Sequence, residues 1–280
     1  MVKQRGFLRR LITTGTALVV LLGATPGTGL CAGQNPAEPA ANPAVTASKP
    51  VEPPSRIDPK AQQILDRVIQ ALGGPAFLKV KRLTTRGRIY SITNEATSAQ
   101  APFESYVEYP DKRRFSYGKN PPVILINNGE QAWELDRMGQ TTQLPEQVRR
   151  WQISNRYSLE NLLRLRIHEP GMLIQLGGVD FVDNVATQSL DMVDAKGTQL
   201  KLDLNRQTLL PVSVTYRVHN PNTGDWDEFA DVYGEYKNVD GVVTPMHIAR
   251  FMDDERVSEV CRNFAHYDDE YPSTYFQPVQ

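Results

Sequence analysis

The side chains that most often carry catalysis or bind metals are sparse and widely spaced in this chain. It contains no His-x-x-x-His pair and no close pair of cysteines, whereas zinc sites are built from such ligands. No serine lies in a Gly-x-Ser-x-Gly turn, which exposes the nucleophile of many hydrolases. Cys261 lies in a strand-like segment and is predicted to be a small buried hydrophobe. The four histidines are His168, His219, His247 and His266.

Two acidic runs bring several carboxylates together, in Asp225-Trp226-Asp227-Glu228 and in His266-Tyr267-Asp268-Asp269-Glu270. Clustered carboxylates can bind calcium or transfer protons. A calcium loop spaces its oxygen ligands around a glycine, and neither run does so. Both runs are therefore predicted to be solvated turns or sheet edges, where charge opposes edge-to-edge pairing of sheets.

The first 33 residues have the composition of an export signal. Four basic residues precede an apolar run from Leu11 to Leu22, which is short and interrupted by threonine. Leu30 precedes Cys31, and a bulky residue at that position does not suit cleavage of a lipoprotein signal. We expect cleavage just after Cys31 and a periplasmic protein. The alternative is a membrane-anchored lipoprotein that carries its lipid on Cys31.

Residues 34–57 are rich in proline and alanine and contain no aromatic residue. Such a segment buries too little apolar surface to offset the cost of ordering, so it is predicted to be an extended linker. Residues 58–280 have the length of one β-rich domain. The formal net charge is -1 and the basic residues are scattered, which excludes nucleic acid as a partner.

Helical periodicity marks the start of this domain and its middle. Asp58-Pro59 combines a preferred N-cap with a preferred first helical residue, and apolar residues follow at helical spacing until Gly73-Gly74. Two further amphipathic helices are predicted over Pro145–Trp151 and Ser158–Leu165, the second with Ser158 as its N-cap.

The rest of the domain alternates apolar and polar residues in short segments, which is typical of half-buried strands. Turn residues separate the segments, as in Asn128-Gly129 and in Asn205-Arg206-Gln207-Thr208. Consecutive hairpins predict one antiparallel meander, and so many strands in one sheet must twist and curl. The predicted strands are Arg82–Thr93, Phe103–Tyr109, Arg113–Tyr117, Val123–Asn127, Gln131–Asp136, Met172–Leu176, Ala186–Val193, Thr198–Leu204, Pro211–His219, Trp226–Tyr236, Val242–Met252 and Arg256–Tyr267.

Four motifs, in this order, resemble those of one known superfamily. They are YPDKRRF at Tyr109–Phe115, NGEQAW at Asn128–Trp133, the Leu202–Leu204 strand with Thr208–Pro211, and YKNVDGVVTP at Tyr236–Pro245. Over about residues 58–278 the chain resembles the outer-membrane lipoprotein-sorting proteins, the LolA/LolB-like superfamily. The resemblance implies an α+β, mainly β fold in which a curled antiparallel sheet forms an incomplete, half-open barrel covered by helices.

The resemblance also implies an apolar cavity that receives acyl chains. Apolar residues that alternate along the predicted strands are the candidates for its wall, and two helical leucines are candidates for its lid. An ordinary closed core would use the same residues, so the two interpretations stay open. The candidates are Phe103, Val107, Phe115, Tyr117, Trp133, Leu135, Leu162, Leu163, Leu200, Leu202, Leu204, Val212, Val214 and Tyr216.

The function predicted from the sequence is binding of lipid or lipoprotein acyl chains in the cell envelope by a monomeric, non-enzymatic protein that needs no cofactor. Other envelope proteins are possible partners. The first alternative is a sensory or scaffold module of the same fold, with a closed core, that recognises a protein partner in the periplasm. A hydrolase is the second alternative.

Overall fold

The computed structural model describes residues 55–278 except Asp183 and Asn222, and these residues belong to one compact unit that spans residues 50–280. The predicted export signal, Cys31 and the predicted linker up to Pro54 lie outside the described residues. Arg56 and Ile57, which the composition assigns to the linker, already form an edge strand of the sheet. The fold therefore begins two residues earlier than the composition indicates.

Four helices cover the sheet. The first begins as predicted, because the Asp58 carboxylate accepts hydrogen bonds from the amides of Lys60 (2.8 Å) and Ala61 (3.2 Å). A short second helix follows Gly73-Gly74 directly, and two 3-10 turns complete the set. The helices are α1 (Pro59–Ala71), α2 (Pro75–Lys79), α3 (Pro145–Arg156) and α4 (Leu159–Arg164), and the 3-10 turns are Arg166–His168 and Ser273–Phe276.

Fourteen strands are found in the described part of the chain, and all belong to one sheet. They are β1 (Arg56–Ile57), β2 (Arg82–Thr93), β3 (Ala96–Glu108), β4 (Lys112–Tyr117), β5 (Val123–Asn128), β6 (Gln131–Asp136), β7 (Gly139–Thr142), β8 (Leu173–Val182), β9 (Val185–Val193), β10 (Gln199–Asn205), β11 (Pro211–His219), β12 (Trp226–Val239), β13 (Val242–Met252) and β14 (Glu255–Tyr267).

The sheet consists of two meanders joined side by side. Strands β2–β7 follow one another, strands β8–β14 do the same, and β14 pairs antiparallel with β2. The short β1 pairs with β8 in parallel. The two outer strands, β1 and β7, do not pair with each other, so the sheet stays open. The predicted fold, a curled antiparallel sheet that does not close and is covered by helices, is confirmed.

Tight turns fix the register of the meander, and the one between β10 and β11 shows how. The Asn205 side chain accepts hydrogen bonds from the amides of Gln207 (2.8 Å) and Thr208 (3.0 Å), and Leu209 takes a positive φ of 60°. Leu204 then faces Pro211 at a bulge in the ladder. Proline is tolerated there because a bulge can spare one donor. The predicted hairpin is confirmed.

One helix crosses the inner face of the curled sheet. The Asp58 amide at its start donates to the Ile174 carbonyl of β8 (2.8 Å), and the Leu72 carbonyl at its end accepts from Val243 of β13 (2.9 Å). Between these points α1 buries Ala61, Leu65, Val68 and Leu72. This helix and α4 cover the core of the protein, whose sheet residues include Ile174, Leu190, Leu200, Leu202, Leu204, Val214 and Tyr216.

Candidate ligand-binding cavity

Part of the inner face is not filled by helices. A cavity of about 480 Å³ lies there between the sheet and the two helices α3 and α4. That volume falls within the range of about 300–1,000 Å³ typical of small-molecule sites. Strands β2–β5 supply one wall, β12–β14 supply the other, and the exposed residues Ser91, Ala99 and Gln100 lie at its mouth.

Period-two alternation positions the wall from β3 and β4. On β3 the residues Ala99, Ala101, Phe103, Ser105 and Val107 all line the cavity. The antiparallel register places Tyr117 opposite Phe103, Phe115 opposite Ser105, and Arg113 opposite Val107. Every second residue of β4 therefore faces the same space, which makes residues 113, 115 and 117 a row of the wall.

Aromatic rings give this wall its shape. The rings of Phe103 and Phe115 stack with centroids 5.5 Å apart, and Tyr117 follows at 5.9 Å from Phe115. Such offset contacts are favourable beyond the area they bury. The three rings form a continuous apolar surface along the cavity.

Helices α3 and α4 close the cavity from above and are held to the sheet by side-chain amides. Asn155 and Asn161 both donate to the Pro110 carbonyl at 2.8 Å, and Gln152 donates to the Gly129 carbonyl at 3.4 Å. Trp151 and Leu159 contribute the apolar residues of this cover. The cover is therefore attached to the turns of the sheet by a few polar contacts.

Charged side chains also line the cavity, which an ordinary apolar core would not contain. Arg250 on β13 lies 3.6 Å from the carboxylate of Asp231 on β12, and Arg262 on β14 donates to the Pro245 carbonyl at 2.9 Å. Burial raises the pKa of the Asp231 carboxyl, and the attraction of Arg250 only partly opposes this rise. Arg113 and Glu160 complete the charged set.

Two tyrosines place their rings beside these charges. Tyr109 and Tyr233 line the cavity, and burial raises the pKa of both phenols well above the ordinary value. Both hydroxyls therefore stay protonated at neutral pH. Each of them can donate a hydrogen bond to a polar group of a ligand.

The structure places the predicted cavity residues in three groups. Phe103, Val107, Phe115 and Tyr117 line the cavity. The largest group is packed into the closed core: Leu162, Leu163, Leu200, Leu202, Leu204, Val214 and Tyr216. The last group does not line the cavity either: Val212 is buried outside the main core cluster, and Trp133 and Leu135 lie on β6.

The position of Trp133 and Leu135 follows from the register. Leu125 of β5 lines the cavity and pairs with Glu134, so Glu134 shares its face of the sheet. The neighbours of Glu134 on β6 must then point to the opposite face. Whether any of the predicted residues binds a ligand stays a prediction.

Several residues that line the cavity were not among the candidates predicted from the sequence, namely Arg113, Tyr233, Ile248, Arg250 and Asp231. The sequence did contain a signal for Arg113, because this residue lies in the same alternating row as Phe115 and Tyr117. The contribution of β12–β14 was not visible in the sequence, since it depends on the pairing of β14 with β2 across the whole chain.

The carboxylates of the second acidic run follow the end of β14, whereas Asp227 and Glu228 of the first run lie at the start of β12, an inner strand of the sheet. The Asp268 carboxylate accepts hydrogen bonds from the amides of Lys81 (2.8 Å) and Arg82 (3.0 Å), and Asp227 accepts from the Asn220 side chain at 3.0 Å. The His266 imidazole lies 2.7 Å from the Asp240 carboxylate. Burial raises the pKa of the Cys261 thiol. Within the described residues, no group of three or more such side chains could hold a metal ion.

The fold and the cavity together define a class of protein: an open, curled antiparallel sheet that encloses a mainly apolar pocket under a helical cover. No protein-family model matches the chain, and no curated protein matches it. Among the helices of the described residues, none has the length and apolar character needed to cross a membrane.

Solved structures provide the comparison. A DUF1329 family protein from Desulfovibrio piger is 10% identical, with a TM-score of 0.52, and the match covers 77% of this chain and 96% of that one. A putative outer membrane lipoprotein-sorting protein domain from Vibrio parahaemolyticus is 8% identical, with a TM-score of 0.48 and coverage of 77% and 97%. A LolA superfamily protein from Nitrosomonas europaea is 12% identical, with a TM-score of 0.47 and coverage of 78% and 97%.

At these identities the likeness concerns the fold alone. The chain shares the fold of the Desulfovibrio piger protein. The superfamily that the four sequence motifs indicated is among its solved structural neighbours, as expected.

Proposed function

We propose that this protein binds an acyl chain of a lipid or lipoprotein in the cavity between its curled sheet and the helices α3 and α4, as a non-enzymatic component of the cell envelope. The observation that carries the proposal is a cavity of about 480 Å³ with a continuous aromatic wall. The sequence motifs shared with the lipoprotein-sorting superfamily and the expected export signal support the same role.

The energetics of such a site are favourable. Transfer of one methylene from water to an apolar surface contributes about 0.8 kcal/mol, so a chain of a dozen carbons gains several kcal/mol even when partly sheltered. Helix α4 is held in the core by Leu162 and Leu163, whereas α3 is attached to the turns at Pro110 and Gly129 by Asn155 and Gln152, so movement of α3 opens the cavity at the lower cost. A carrier needs both properties, because it must bind its cargo and later release it.

Native mass spectrometry of the protein purified from its own envelope tests this role. We expect the purified protein to carry a bound lipid. We also expect the cavity to take up a neutral, fluorescently labelled acylglycerol as a probe. Ala101→Trp places an indole in the cavity and should abolish probe uptake. Ala96→Trp, on the same strand but outside the cavity, should not affect uptake.

Two results would contradict the proposal: a protein free of lipid that takes up no probe, or uptake that survives Ala101→Trp. The first result would favour the alternative in which the same fold recognises a protein partner in the periplasm.

A further inference from the structure

Three arginines line the cavity, and one of them has no partner among the described residues. Arg250 faces Asp231, and Arg262 donates to a backbone carbonyl. Arg113 makes no ion pair or hydrogen bond with any described residue, and its Nε atom is buried. Its guanidinium lies over the Phe115 ring, with 5.5 Å between the guanidinium carbon and the ring centroid.

Arg113 is half-buried, and a partly desolvated guanidinium without a counter-charge is costly for a protein. Burial, together with the nearby positive charge of Arg250, lowers the pKa of Arg113 to about 9. The group still carries its proton at neutral pH. An anion beside Arg113 would offset this cost, so the cavity favours a negative charge at this position.

The carboxylates of the cavity do not supply that charge. Asp231 is already engaged by Arg250, and Glu160 is the one other acidic residue in the lining. Three arginines against two carboxylates leave the described lining with a net positive charge. A neutral or cationic head group would gain nothing from this arrangement.

The size of the cavity limits the hydrocarbon part of the ligand. At about 30 Å³ for each water-sized group, a volume of 480 Å³ holds roughly sixteen such groups. That is enough for one long acyl chain. Arg113, Phe115 and Tyr117 are alternate residues of β4, and Phe103 pairs with Tyr117. A hydrocarbon chain that lies on the three rings therefore reaches the guanidinium of Arg113.

We propose that Arg113, with Arg250 lining the same cavity, binds the carboxylate or phosphate of a single-chain anionic amphiphile whose hydrocarbon chain lies along Phe103, Phe115 and Tyr117. This inference rests on the proposed function, which it narrows to one class of ligand. Arginine suits the role because its planar fork of donors matches both carboxylate and phosphate oxygens.

The test compares ligands that share a dodecanoyl chain and differ in the charge and structure of the head group. Isothermal titration calorimetry on the full chain, freed of lipid, would use dodecanoate, neutral monododecanoylglycerol and the phosphate ester of that acylglycerol. We expect both anionic ligands to bind roughly tenfold to a hundredfold more tightly than the neutral one, as for a hydrogen bond to a charged group. Equal affinities would overturn the inference without any substitution being made.

Substitutions then locate the charge. Arg113→Gln should remove the preference for the anionic ligands over monododecanoylglycerol, whereas Arg113→Lys should retain part of that preference. Arg137→Gln, on the exposed turn between β6 and β7, is the matched control and should retain all of it. A preference that survives Arg113→Gln would overturn the role of Arg113. Thermal unfolding of each variant checks that it is folded.

Two further outcomes distinguish a lipid head group from a free anion, and the anion subsite from the proposed function. Inorganic phosphate that binds as tightly as the phosphate ester would show a site for free anions and would overturn the amphiphile. Dodecanoate bound as tightly as the phosphate ester would identify a carboxylate head group as sufficient. Failure of all three lipids to bind would contradict the proposed function itself, whereas equal binding of all three contradicts only the anion subsite.

Discussion

The inner face of the sheet has two regions with the same alternation of apolar residues in the sequence. In the structure one region is filled by helices and the other lines the cavity. In the filled region, α1 and α4 lie on Leu190, Leu200, Leu202 and Val214, and every one of these side chains is buried. In the cavity region, Phe103, Phe115, Tyr117 and Val107 alternate along their strands in the same way and line the cavity, and all of them except Phe103 are only partly buried. Alternation fixes which face of a strand is apolar. The covering helix decides whether that face becomes core or cavity.

The covering elements explain the contrast. Helix α1 presents Ala61, Leu65 and Val68, three side chains with no exposed surface, to the filled region. Over the cavity, α3 presents one large buried side chain, Trp151, together with the polar residues Ser154 and Asn155. Charged residues on the strands then prevent complete collapse, since a guanidinium such as that of Arg113 cannot be packed against apolar side chains without cost.

The largest expected difference between the two regions is in the cost of removing a leucine. Leu202→Ala in the filled region should lower the free energy of unfolding by about 2–5 kcal/mol, because the fully buried side chain leaves a void. Leu125→Ala in the cavity region should cost about 1 kcal/mol, because part of that side chain already contacts no protein atom. Urea unfolding of both variants measures the two values.

Equal losses from the two leucines would mean that the cavity is closed in solution. The two variants are directly comparable, because the same atoms are removed in both and both side chains point to the inner face of the sheet.

Much of this organisation could be predicted from the sequence. The N-cap of α1, the turn at Asn205 and the alternation of strands such as β2, β6, β11 and β13 are local signals, and each of them is confirmed. The first half of β3 was missed because Ala96-Thr97-Ser98-Ala99-Gln100 contains no large apolar residue. Backbone pairing with β2 forms the strand there, supported by polar contacts such as the hydrogen bond from the Ser98 hydroxyl to the Ser91 carbonyl (3.2 Å). The polar β7 (Gly139–Thr142) was missed for the same reason.

A second comparison adds atoms in place of removing them. Val214→Phe in the filled region should cost about 1–3 kcal/mol, because the extra ring must displace packed neighbours. Val107→Phe points into the cavity and should change stability by less than about 0.5 kcal/mol while it lowers uptake of a neutral acyl probe. Thermal unfolding and the probe assay, run on both variants, give the two readouts.

A stability loss from Val107→Phe as large as that from Val214→Phe would show that the cavity region cannot accept an added group. That outcome would also argue against binding of an acyl chain, because the chain would need the same space.

The division between filled region and cavity could not be predicted, and the reason is physical. Twelve of the fourteen candidate residues were selected by apolar type and alternation along strands, which are the same for both regions. The missing information was long-range: β14 pairs with β2, and this pairing brings Asp231, Arg250 and Arg262 to face Arg113. No local pattern around Asp231 or Arg250 indicates that partner. The charged residues of a site built from distant strands are visible only after the sheet is assembled.

The smallest expected effect concerns the one acidic side chain that faces an arginine across the cavity wall. Because burial raises the pKa of Asp231, the folded protein binds a proton at this carboxyl more tightly than the unfolded chain does. The stability that comes from this group is therefore complete below about pH 4, the ordinary range for aspartate, and is lost as the pH rises toward the pKa in the folded state. Asp231→Asn removes the titration, so its stability relative to the native protein should increase from acid to neutral pH. We expect a gain below about 1 kcal/mol at neutral pH, since the attraction of Arg250 at 3.6 Å offsets part of the burial cost. Urea unfolding of both proteins across this pH range measures the difference. A difference in stability that shrinks toward neutral pH would mean that the attraction between Asp231 and Arg250 outweighs the cost of burying the Asp231 carboxylate.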